Sequence, residues 1–190
     1  MLTVDQRASR REPDRIADAL QTLADVPLID VERTAGDEFQ GVLAAPDDVV
    51  EVVLRLVRLG GWNIGVGAGP VLTPLPQSTR AGSGPALLCA RRAVDAATQR
   101  PLRLAVRGVV PAEAADAQAV LTALAVLVGR RSRQAWEAIA LVDAGHTQAD
   151  AATELGVSRQ AVGQRLAAGM WDLERELRPT AARLLTRAAG

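Results

Sequence analysis

Asp37 and Glu38 follow Gly36 in the stretch RTAGDEFQG (33–41), between strand-like runs at 31–35 and 39–44. Two carboxylates at a glycine turn can hold Mg²⁺ for phosphoryl chemistry, or they can form a solvated hairpin tip. Asp5 closes another strand-like run, LTVDQ (2–6). If that strand lies beside the hairpin, Asp5 and Asp37 meet although far apart in sequence, and Glu38 becomes a third candidate ligand. A second set of polar groups sits in GSGP (82–85), which reads as a helix start with Pro85 at the first helical position. Gly82, Ser83 and Gly84 would aim backbone N–H groups at an anion there, with Arg80 and Arg91 nearby. The competing reading is that these residues only start a helix. A third set lies near the other end, in HTQADAATELGVSRQAVGQRL (146–166). Ser158, Arg159, Gln160, Gln164 and Arg165 share one face of a helix, and Arg and Gln are the side chains that reach guanine and adenine edges. Thr147 and Gln148 begin the helix before it. Arg130, Arg131 and Arg133 are placed to hold phosphates.

The elements that must position these groups follow from periodicity. Residues 2–6, 31–35, 39–44, 62–69 and 102–108 read as strands; 12–25, a stretch starting at Pro46-Asp47-Asp48 with a buried stripe through Val57, and 85 to about 97 read as helices, in the order β-α-β-β-α-β-α-β. Asp48 with Glu51 three residues on has the form of a capping box for the second helix. In WNIGVGAG the glycines at 65, 67 and 69 alternate, so one strand face is bare backbone, open to a ligand or to the chain itself. They lead into prolines rather than a helix, which excludes a dinucleotide-binding turn. The order fits α+β architecture, a ferredoxin-like or palm-type sheet with helices on one face over residues 1–110.

After Pro111 the pattern is helical only: an Ala-rich connecting helix (111–130), then an all-α part (131–190). Residues 133–145 read as a support helix. Thr147 caps a short helix ending at Leu155, Gly156 permits a tight turn, and Ser158 caps a helix expected to run through Leu177. Small Ala152, with Val157 and Val162, suits the close crossing a helix-turn-helix requires.

Composition sets the bounds. Formal net charge is zero, so only a local patch would attract nucleic acid. All 22 basic residues are Arg, which excludes a Schiff-base or Walker lysine. One Cys and one His exclude a zinc finger. No signal peptide is expected, nor an apolar run of membrane-spanning length, so the expectation is cytoplasmic, with no membrane partner.

Two resemblances rest on these motifs. Residues 131–178 resemble helix-turn-helix domains of bacterial regulators, both the MarR-like type and the type of sigma-factor region 4. AGDEF is similar to the diguanylate cyclase signature, and IGVGAGPV (64–71) with GSGPALLCARRA (82–93) resembles class III nucleotide cyclases, Arg91 matching a phosphate-stabilising arginine. Together the first 107 residues look most like the bacterial SatD-type family, which pairs a GDEFQ hairpin with a GPA…AR helix. The resemblance implies a palm-like nucleotide-cyclase fold and Mg²⁺ as a possible cofactor. Ala35 replaces the first signature glycine, Leu87 stands where active class III cyclases carry Asn, and RASRREPD (7–14) is not a triphosphate cradle. The expectation is therefore a homodimeric regulator that binds double-stranded DNA. Its palm-like part would be non-catalytic, sensing a nucleotide or joining protomers. The alternative is a metal-dependent nucleotidyl transferase using Asp5 and Asp37, with the tail as a targeting module.

Overall fold

The computed structural model describes residues 1–7, 9, 11, 13–34, 36–71 and 84–190. Its elements run β1 (Leu2–Gln6), α1 (Ile16–Thr22), β2 (Ile29–Arg33), β3 (Glu38–Val42), α2 (Pro46–Leu59), β4 (Trp62–Ala68), α3 (Pro85–Ala97), β5 (Leu104–Gly108), α4 (Pro111–Gly129), α5 (Arg133–Asp143), α6 (Gln148–Leu155), α7 (Arg159–Ala168) and α8 (Trp171–Ala188). The protein is mixed α/β, with the strand and helix order that periodicity gave for the first 110 residues. The strands form one mixed sheet in the order β2-β3-β1-β4-β5. β1 is antiparallel to both β3 and β4, and β4 is parallel to β5.

The sheet's two faces differ in side-chain size. Leu2, Val4, Phe39, Ile64, Val66, Leu104 and Val106 share one face and pack with α1, α2, α4 and α8 in the main core. On the other face Gly65 and Gly67 lie against α3. A Cβ on Gly67 would sit 2.1 Å from the Ala86 carbonyl oxygen, and one on Gly65 would sit 2.3 Å from the Val94 nitrogen. The bare strand face is thus occupied by the chain itself. Ala86, Ala90, Ala93 and Ala97 give α3 the matching small surface. Helices therefore cover both faces, not one. The chain steps the same way across the sheet from β3 to β4 and from β4 to β5, and these strands are parallel. With α2 and α3 on opposite faces, the two crossovers have opposite hands, so one has the uncommon left hand.

Several local expectations change. α1 is shorter than 12–25 because Pro13 precedes it and the chain turns after Thr22. α2 begins at Pro46 with Ala45 as N-cap, so Asp48 caps nothing; Asp47 and Asp48 instead place negative charge in the first turn. The helix expected through Leu177 breaks at Gly169 and Met170, the latter left-handed at φ 51°. A Cβ on Gly169 would meet Ile139 Cδ1 at 2.9 Å, so α7 ends against α5.

α8 then turns back. Its Ala181, Ala182, Leu185 and Ala188 join the main core beside α4, so the division at residue 131 does not separate the cores. A small second core, built on Ile139, Ala151, Ala152, Val162 and Leu166 of α5, α6 and α7, has Trp171 of α8 packed against it. Contrary to the sequence expectation, α4 is long and apolar enough to cross a membrane, with a mean hydropathy of 1.4. Here its Ala117, Leu121, Leu124 and Val128 are buried in the main core. Gln118 faces the outer edge of β5, accepting from the Val106 N–H at 2.6 Å and donating to the Leu104 carbonyl at 3.3 Å. An otherwise open strand edge is thereby satisfied.

Two glycine substitutions test this packing. Gly67→Ala forces a methyl into the α3 backbone and should cost about 1–3 kcal/mol or more, read as a lowered urea midpoint. Gly163→Ala, whose Cβ would meet only Gln148 Oε1 at 3.6 Å, should leave the midpoint level or raise it.

Candidate functional site

The strand register brings the acidic residues together. Asp5 lies opposite Glu38 on one side and Asn63 on the other. The Gln6 N–H donates to the Asp37 carbonyl at 2.9 Å, which closes the hairpin end onto β1. Gly36 sits at φ 73°, and Arg33 donates to its carbonyl through Nε and Nη2. Asp5, Asp37 and Glu38 line a groove of about 650 Å³ between β3 and α3.

The groove's chemistry is largely internal. Glu38 accepts from Thr34 Oγ1 at 2.7 Å and from Gln40 Nε2 at 3.1 Å, and pairs with Arg91 Nη1 at 2.8 Å. Ser9 Oγ donates to Asp37. Asn63 Nδ2 donates to Asp5 at 3.1 Å. Burial pushes the Asp5 carboxyl above its ordinary range; the Asn63 amide opposes this, and the charges of Asp37 and Glu38 add to the rise.

The structure therefore brings Asp5, Asp37 and Glu38 together as expected. Among the described residues no group of three His, Cys, Asp or Glu side chains is arranged to hold a metal ion. Arg91, expected to hold phosphates, is turned onto Glu38. With Asp95 the described lining of the groove carries four carboxylates against one guanidinium, an acidic excess. Arg80, Gly82 and Ser83 lie outside the described residues. Gly84 is the N-cap of α3, at φ 141°.

At the other end, α5, α6 and α7 form a tight trio. Thr147 accepts from the Asp150 N–H while the Asp150 carboxylate accepts from the Thr147 N–H, a reciprocal cap on α6. Those bonds hold the Asp150 carboxyl below the usual range. Gly156 closes α6 in the left-handed conformation, at φ 64° and ψ 34°. Two residues on, Ser158 Oγ accepts from the Ala161 N–H at 3.1 Å and starts α7. α7 buries only Val162 and Leu166. Ser158, Arg159, Gln160 and Gln164 are exposed on its outer side, with Arg165 half-buried; Thr147 is exposed and Gln148 half-buried on α6.

The arginine run 130–133 divides. Arg130 is exposed, and Arg133 is exposed beside Glu137, 2.9 Å away. Arg131 is not on the outer surface that would meet DNA: its side chain is 1% exposed and lies 2.5 Å from Glu174, itself 6% exposed. Its Nε donates to the Gly169 carbonyl at 2.7 Å, and its guanidinium stacks on Trp136 at 4.8 Å. Sequence reasoning missed the network that continues from it. Arg178 Nη2 pairs with Glu174 at 2.6 Å, Arg178 Nη1 pairs with Glu51, and Glu51 pairs with Arg55 at 2.6 Å. Burial alone would raise the Glu51 carboxyl, but hydrogen bonds from Arg178 and Arg55 hold it below the usual range. The two i,i+4 pairs, Glu51–Arg55 and Glu174–Arg178, were the available signals.

A scan of protein-family models and searches of curated proteins and solved structures each return no match.

Two substitutions probe these charges. Arg131→Gln leaves the buried Glu174 carboxylate with Arg178 as its remaining partner and should cost about 1–3 kcal/mol, while Arg131→Met with Glu174→Leu should recover most of it in denaturant unfolding. For Asp5 the sign is opposite to that of a salt-bridged carboxylate. Its folded pKa is raised, so its contribution is present in acid and lost as pH rises through that value. Asp5→Asn should therefore raise the urea midpoint at pH 7, with the gain shrinking below the carboxylate range.

Proposed function

We propose that the protein is a DNA-binding transcriptional regulator, with α6 and α7 as a helix-turn-helix on a palm-like, non-catalytic domain. The single observation that carries the reading is the outer side of α7. A serine-capped helix reached through a left-handed glycine presents exposed Ser158, Arg159, Gln160 and Gln164, with no other described part of the chain over them. In this reading α7 enters the major groove, and Arg159, Gln160 and Gln164 meet base edges. Arg165, Thr147 and Gln148 lie beside that surface. Arg130 and Arg133 lie close in sequence to Arg131, whose Nε donates to the Gly169 carbonyl at the end of α7. A 10-residue helix is about 15 Å long, so the two ends suit phosphates on either side of a groove about 12 Å wide. One such unit covers a half-site, which favours a homodimer on duplex DNA.

The SatD-type resemblance and the palm-like description belong to the same proposal. They are supported by the β2-β3-β1-β4 order and by the place of Asp37 at the β2–β3 turn beside Asp5. The engagement of Glu38 by Arg91 and the acidic excess of the groove weigh against nucleotidyl transfer by Asp5 and Asp37. A cytoplasmic location goes with this reading.

Selection from a random pool of duplex DNA tests it. The wild type should enrich a defined site, and the Arg159→Ala, Gln160→Ala variant should lose the preference while retaining salt-sensitive, non-specific affinity. Equal enrichment by the variant, or none by the wild type, would refute the assignment of α7.

A further inference from the structure

A cleft of about 530 Å³ opens between α2 on one side and α5 and α8 on the other. Its volume is that of a small-molecule pocket. The charges in its wall are not matched. Glu51 and Glu174 are each already paired twice, Glu51 with Arg55 and Arg178, Glu174 with Arg131 and Arg178. Asp143, the remaining carboxylate in the wall, accepts from the Trp171 indole N–H at 2.8 Å. Both oxygens of Glu51 and of Glu174, and one oxygen of Asp143, are thus engaged, and four guanidiniums stand against three carboxylates in the wall.

Two cations retain unused donors. Arg58 forms no ion pair or hydrogen bond among the described residues and rests on the Trp136 ring, its guanidinium carbon 4.0 Å from the centroid. Arg131, buried at the base beside the same ring, has Nη1 without a hydrogen-bond acceptor. A buried guanidinium N–H left unpaired is costly, and an anion at that point would relieve it. The wall also carries Leu54, Leu59 and Ile139, an apolar surface for a ligand body.

We infer that this cleft is a binding site for a small organic anion, its phosphate or carboxylate held by Arg58 and Arg131 and its apolar part against the leucine wall. The acidic groove by β3 has the wrong sign for such a ligand; this cleft has the right one. The site does not depend on DNA binding. Because its walls come from the sheet domain and from the helices that carry α7, an occupant bridges the two.

Phenylphosphate and benzoate serve as probes, with benzylamine as the cationic control, on the full chain. Calorimetry should show saturable binding of one or both anions and none of benzylamine. Arg58→Gln, a change at an exposed position, should weaken binding about tenfold. In ¹H–¹⁵N spectra of the wild type the Trp136 indole signal should shift on titration while that of Trp62 stays in place. Inorganic phosphate should displace phenylphosphate if the phosphate head is what is held. Benzylamine binding as tightly as the anions, undiminished anion binding in Arg58→Gln, or an unmoved Trp136 signal would overturn the proposal. The spectral arm holds even if the variant fails to fold.

Discussion

One buried ion pair links the end of α7 to α8. Arg131 and Glu174 lie almost wholly out of water, 2.5 Å apart. Removing two charges from water costs several kcal/mol per ion, so such a pair persists only with further partners. Those partners come from nearly every element around it. The Gly169 carbonyl at the end of α7 accepts from Arg131, Trp136 of α5 stacks on it, and Arg178 links Glu174 to Glu51 of α2. The helical trio has a small core of its own, and this charge network joins it to the sheet domain.

The two polar surfaces of the molecule use charge in opposite ways. By β3 the carboxylates of Asp5, Asp37 and Glu38 are gathered by strand register and hydrogen-bonded locally by Asn63, Ser9 and Arg91, of which only Arg91 brings a charge. The groove is nearly self-contained. On α7 the polar side chains are left to solvent, and the caps at Thr147 and Ser158 are spent on the backbone, which fixes the helices without using Arg159, Gln160 or Gln164. Zero net charge is compatible with that division, because most arginines of the interior face carboxylates of the same chain.

Much of this was legible in the sequence because the punctuation is strong. Pro46, Pro85 and Pro111 open α2, α3 and α4 at their first residues, and Thr147, Gly156 and Ser158 mark α6 and α7. The meeting of Asp5 with Asp37 followed from placing strand one beside the hairpin. What stayed hidden was set by distant partners. Nothing within GRRSR distinguishes Arg131 from Arg130 and Arg133; Glu174, over 40 residues away, does. The face taken by α3 was within reach, since Gly65 and Gly67 match the alanines at 86, 90, 93 and 97, but the helix and strand had to be read together. The break at Gly169 was obscured because Leu166, Met170, Leu173 and Leu177 continue a helical period across it.

The most direct measurement of DNA recognition is the backbone amide spectrum of the labelled protein with a duplex oligonucleotide at low and moderate salt. The expected result is shifts concentrated at residues 147–148 and 158–165, weakening as salt rises, with the hairpin at 36–38 unmoved. Shifts confined to the hairpin and the groove beside α3, or none on α7 at any salt concentration, would contradict it.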